Sequence, residues 1–164
     1  YAENRSFNNL FADFPGLEKP LSSLSPSEYR QRDRDGSELP SLPAPWGGVL
    51  HVGPQTVDCV SYPTEQAYQQ HLPNAPFVLK GPQGEDLPLG VVTRDLWHVF
   101  YQNQMQINGG RNDGFVAWGD AGGLVMGHYA QTRYELRLWD VAKEFVLCDN
   151  FFQGAVGGSF LNHQ

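Results

Sequence analysis

All twelve prolines of this 164-residue chain fall between Pro15 and Pro88, and none follows Pro88. Proline has no backbone N–H and a fixed φ, so it interrupts helix interiors and central strands. The chain therefore divides into a proline-punctuated first half and a second half free to build regular, hydrogen-bonded elements. Six of the prolines lie between Pro15 and Pro45. That stretch also carries the charged patch Arg30-Gln31-Arg32-Asp33-Arg34-Asp35-Gly36. Residues 14–48 read as a long surface connection of the kind that is functional or mobile. Before it, a short helix is expected over 6–12, ending ahead of Pro15. Residues 49–92 read as short extended pieces and turns, with a brief helix over 64–71.

The regular core is expected to begin near Thr93. Leu96, Phe100 and Ile107 fall at helical spacing in residues 93–107, and Asn108-Gly109-Gly110 stops that helix. Leu138, Val141, Ala142 and Phe145 mark a second helix over 135–144. Phe145-Val146-Leu147-Cys148 has no helical stripe and suits a buried strand. Gly154-Ala155-Val156-Gly157-Gly158 then turns the chain into a new helix with Ser159 at its N-cap. Helix, strand, glycine turn and helix together indicate an α/β sheet protein. Both ends read as cut, so the chain is expected to be part of a longer domain.

Apolar residues at 40% with 18% charged residues are a globular composition. A formal charge of −7 argues against a broad nucleic-acid-binding face. It leaves room for a phosphate site, which local cations, dipoles or a metal ion can build. No apolar run reaches the length of a membrane span. Cys59 and Cys148 leave a single bridge open in an oxidising compartment.

Ser159 is the residue best placed for chemistry. Two preceding glycines allow a sharp turn and close approach of a ligand, and the first amides of a following helix favour an anion beside the hydroxyl. The same pattern also suits an ordinary N-cap serine. Glu3-Asn4 offers two hard oxygen donors in tandem for a divalent cation, or one such donor and a phosphate contact. His98, on the expected 93–107 helix, could protonate a departing alkoxide or hold a phosphoryl oxygen; it could equally pack beside Trp97. Asn162 and His163 follow Ser159 by three and four residues, near one helix face, and could reach the same pocket. Asp113 reads as the N-cap of a helix over 114–121. His51, His71 and His128 show no ligand spacing.

Taken together, these segments resemble the bacterial phosphoesterase family of secreted acid phosphatases and phosphocholine-preferring phospholipases C, within the alkaline phosphatase-like superfamily. Tyr1-Ala2-Glu3-Asn4-Arg5-Ser6-Phe7-Asn8-Asn9-Leu10-Phe11 is similar to that family's Glu-Asn-(His/Arg)-Ser-Phe-Asp-x-Tyr-Phe motif. The stretch from His98 to Gly114 is similar to its histidine-containing helix and Asn-Gly-Gly-Lys-x-Asp-Gly. Met126-Gly127-His128-Tyr129 and Leu147-Cys148-Asp149-Asn150-Phe151-Phe152 resemble Met-Gly-Tyr-Tyr and Leu-Cys-Asp-Asn-Tyr-Phe, with His128 where the family more often has Tyr. Gly157-Gly158-Ser159-Phe160-Leu161-Asn162-His163 resembles the acid phosphatase form of the nucleophile turn; the phospholipase branch tends to show Gly-Pro-Thr there.

The resemblance implies an alkaline phosphatase-like α/β sheet flanked by helices, of which this chain is the amino-terminal portion. It implies hydrolysis of a phosphate ester through a phosphoserine on Ser159, with Glu3, Asn4 and Ser159 on a divalent metal ion. His98 would contact phosphate or donate a proton, and Asn4, Asn162 and His163 would meet the substrate. The family's remaining metal ligands lie downstream of the matched motifs, so these residues alone are expected to be inactive. A secreted or periplasmic location is the further implication.

Overall fold

The computed structural model describes residues 4–45, 54–63 and 66–164. Glu3 and His51 lie outside the described residues. The first helix, α1 (Phe7–Phe11), forms where expected because Ser6 caps it: Ser6 Oγ accepts from the Asn9 amide at 3.1 Å, and Asn9 Oδ1 accepts from the Ser6 amide at 3.0 Å. The connection after it is less loose than its composition suggests. It holds a 3₁₀ turn at Leu21–Ser23 and a short helix α2 (Pro26–Tyr29). Buried Gln31 fastens it to the second half, donating to the Asn112 carbonyl at 3.0 Å and accepting from the Phe115 amide at 2.9 Å.

Strands β1 (Gln55–Val57) and β2 (Val60–Tyr62) form an antiparallel hairpin with Val57 opposite Val60. Asp58 and Cys59 both take positive φ in its two-residue turn, as a primed hairpin turn requires. Strand β3 (Phe77–Val78) pairs in parallel with β4 (Gly127–His128), Phe77 facing Gly127. Helices and small sheets are therefore mixed, and each sheet among the described residues has two strands. The expected helix over 64–71 is not found: residues 66–71 are bends and a bridge, and 64–65 lie outside the described residues.

The main core does not begin near Thr93. It gathers Leu42, Tyr62, Leu72, Leu79, Leu87 and Val91 from the proline-bearing half against Val116, Leu124 and Tyr129. Tyr62 is 1% and Val91 0% exposed. Loops can bury these side chains because their backbone groups find partners elsewhere, such as the Leu42 amide on the Leu72 carbonyl at 2.9 Å. A second cluster packs Phe11 and Phe14 on Trp139, with ring centroids 5.8 and 4.9 Å from the indole.

Several expected elements of the second half are shorter or absent. Helix α3 spans Phe100–Ile107, not 93–107. Val92 is held by Gln55 through its amide (2.8 Å) and its carbonyl (2.9 Å), and Asp95 Oδ1 takes the Leu96 amide at 3.0 Å. These bonds offer the backbone an alternative to the helix. Asn108 stops α3 as expected, in the left-handed region at φ 47. The second helix, expected over 135–144, begins only at Leu138 as α5 (Leu138–Glu144); a separate short helix α4 (Thr132–Glu135) precedes it and ends at extended Leu136.

Asp113 caps no helix over 114–121. Its buried carboxylate instead accepts from Asn108 Nδ2 at 2.7 Å and faces Arg32 Nε at 3.4 Å and Arg111 Nε at 3.6 Å. Residues 115–118 form turns, followed by a 3₁₀ segment at Gly122–Met126. Phe145-Val146-Leu147-Cys148 is no buried strand: it finds no partner strand among the described residues, and Val146 is 86% exposed. Cys59 and Cys148 are both free and exposed. No helix among the described residues is long and apolar enough to cross a membrane.

Candidate active site

The glycine turn and helix α6 (Ser159–His163) close one side of a cleft of about 410 Å³. Its wall brings together Asn4, His98, Gly157, Gly158, Ser159 and Asn162, residues up to 158 positions apart in the chain. Asp120, Asn103, Gln106 and Gln153 add to its polar lining. His163 is exposed and does not line it. In a helix this short only one side can face inward, and Asn162 occupies it.

Ser159 is the first helical residue rather than the cap. Gly158 takes the N-cap position, and Ser159 Oγ has no hydrogen-bond partner among the described residues. An N-cap hydroxyl is spent on the helix amides; this one is left for another partner. Close approach explains the glycines. A Cβ on Gly158 would stand 3.4 Å from the His98 carbonyl oxygen, and one on Gly157 would meet the Phe100 ring at 3.2 Å and Leu161 at 3.1 Å. The turn thus lies directly against the segment that carries His98.

Asn162 lines the cleft, but its amide is committed to the turn. Oδ1 accepts from the Ala155 amide at 3.1 Å, while Nδ2 donates to the Ala155 carbonyl at 3.1 Å and the Gly158 carbonyl at 3.4 Å. Its polar atoms hold the loop. Gln104 Nε2 adds a bond to the Val156 carbonyl at 3.2 Å.

His98 precedes α3 by two residues and is 44% exposed through its side chain. Its Nε2 lies 3.2 Å from Asp95 Oδ1. A carboxylate there orients the imidazole ring. Asp95 was not singled out from the sequence, although Asp-x-x-His spacing was the available signal.

Asn4 reaches the cleft through the packing of α1. It sits at φ 63, a region Asn tolerates better than most side chains. Asn9 Nδ2 donates to the Gly127 carbonyl at 2.6 Å, and the Tyr129 amide donates to the Asn9 carbonyl at 3.2 Å. Arg5 bonds the Tyr129 hydroxyl and lies 4.8 Å over its ring. Burial pulls the Arg5 guanidinium below its ordinary pKa, yet arginine stays charged at neutral pH.

Asn4 and Ser159 supply oxygen donors that suit a hard divalent cation in kind. Glu3, the third member of the expected ligand set, lies outside the described residues. Among the described residues no group of three or more His, Cys, Asp or Glu side chains could hold a metal ion. Asn4 and Ser159 are thus two of the three expected donors.

A model of the phosphoesterase family matches residues 1–164. The chain belongs to that family, whose members hydrolyse phosphoric esters. No curated protein and no solved structure matches it.

Proposed function

We propose that the protein is a phosphomonoesterase of the acid phosphatase type, with Ser159 as nucleophile in an alkaline phosphatase-like domain of which this chain is part. The observation that carries this reading is the Ser159 hydroxyl, without a hydrogen-bond partner among the described residues, on a cleft shared with Asn4 and His98. Ser159 Oγ releases its proton to solvent and attacks phosphorus in line, forming the Oγ–P bond as the bond to the leaving alkoxide breaks. His98, oriented by Asp95, gives the alkoxide its proton. Water then attacks the phosphoserine and releases inorganic phosphate. A divalent cation on Glu3, Asn4 and Ser159 is part of the proposal, and when bound it supplies positive charge against the phosphoryl oxygens. A secreted or periplasmic setting is part of it as well.

The test uses the complete gene product with added divalent metal and 4-nitrophenyl phosphate. Ser159→Ala should lower kcat by at least about 10³-fold and abolish acid-stable labelling by a ³²P-phosphoester. Chelation should remove turnover, and re-addition of metal should restore it. Unchanged turnover in Ser159→Ala would leave Ser159 a structural turn residue. Hydrolysis of phosphatidylcholine with no action on the monoester would replace the phosphatase reading by a phospholipase C one.

A further inference from the structure

A second cavity of about 510 Å³ adjoins the Ser159 cleft, and Asn4, Leu96, Phe115 and Val125 line both. Its charged lining is Arg5, Arg94 and Asp95. The Asp95 carboxylate is turned to the Leu96 amide and to His98, through one oxygen, and makes no ion pair with either arginine. Arg5 is held by the Tyr129 hydroxyl and the Leu89 carbonyl, which leaves other donors of its five N–H groups unused. Arg94 is half-buried and has no hydrogen bond, ion pair or ring contact among the described residues. A guanidinium drawn partly out of water without a counter-charge is costly, and an arriving anion offsets that cost.

Resting on the phosphoesterase reading, we propose that this cavity is the leaving-group subsite and that Arg94, assisted by Arg5, selects esters whose alcohol portion carries its own anionic group. The scissile phosphate sits at Ser159, and the rest of the ester passes Asn4 and Leu96 into the second cavity. The apolar lining there, Leu79, Val92 and Leu124, suits a carbon framework between the two charges. An ester with a cationic alcohol, such as phosphocholine, is disfavoured by the same arginines.

The complete gene product with divalent metal is assayed on phenyl phosphate, 3-carboxyphenyl phosphate and phosphocholine. The wild type should prefer the carboxylated ester to phenyl phosphate in kcat/KM and act least well on phosphocholine. Arg94→Ala should lower the ratio of kcat/KM for 3-carboxyphenyl over phenyl phosphate by about tenfold, as loss of a charge-assisted bond predicts. Arg94→Lys, which keeps the charge, should retain most of that ratio and guards against a folding defect. If the wild type hydrolyses none of the three esters, the phosphoesterase reading falls and the subsite with it. If it hydrolyses them but the ratio is the same in Arg94→Ala, the subsite alone is overturned.

Discussion

Residues 42–129 and residues 145–164 are built on opposite terms. The first region has few regular elements, yet it buries Leu79 at 3%, Leu87 at 2% and Val91 at 0% exposure. The second leaves Phe145, Phe151, Phe152 and Phe160 each more than 70% exposed. Polar bonds tie it to the rest, from the Glu18 amide to Asp149, from Asn150 to the Glu18 carboxylate and from Gln104 to the Val156 carbonyl, while Asn162 closes its turn on Ala155 and Gly158. Apolar burial is therefore concentrated in residues of the first region from both sides of Pro88, while the candidate nucleophile rides on a segment that little apolar burial supports. Segments with few buried apolar contacts are the ones that open locally at low cost.

The largest expected effect breaks the core. Leu87→Ala should cost about 2–5 kcal/mol in denaturant unfolding, the usual range for emptying a buried leucine site. Phe151→Ala, with its ring in solvent, should stay within about 0.5 kcal/mol. Equal costs would mean that the second region is as deeply anchored as the first. A smaller effect separates rate from stability. Asn162→Ala leaves the glycine turn unclamped, and misplacing Ser159 by about an ångström should lower kcat on the order of 10²-fold. Because Asn162 acts through the turn, KM should change little and the unfolding free energy by no more than about 1.5 kcal/mol. A matching loss in unfolding free energy would make Asn162 a stability residue instead.

Local chemistry was legible in the sequence where it was decided locally. Ser6 caps α1 and Asn108 stops α3, each through its own side chain or its tolerance of positive φ. The glycines around Ser159 announced close approach, and the Phe100 ring and the His98 carbonyl are what approach. The core was not legible, since Leu42, Leu72 and Leu87 lie in loops where no period marks them. The N-terminal limit of α3 was hidden because Gln55, far away in sequence, holds Val92. Helical spacing placed Asn162 and His163 near one face, but could not show that the Asn162 amide closes on Ala155. Nor could periodicity tell the exposed Phe145–Cys148 run from a buried strand, because apolar content marks what can be buried and not whether a partner is present.

The smallest effect ties pH to the first region alone. His128 lies in β4, half-buried against the core, and burial holds its imidazole below the ordinary pKa of 6.5, with the Asp13 carboxylate opposing weakly. The unfolded chain then binds a proton at a pH where the folded chain does not. Stability from this site is present above about pH 6.5 and is lost as the pH falls through the lower folded value. Unfolding free energies measured in small steps below pH 6.5 should decline in the wild type and decline less in His128→Gln. The change should leave the rate on 4-nitrophenyl phosphate per folded molecule unaltered, because His128 lines neither the Ser159 cleft nor the cavity beside it. An acid slope identical in the two proteins would show that His128 accepts its proton as readily in the folded chain as in the unfolded one. The acid sensitivity of the core would then have to come from groups other than His128.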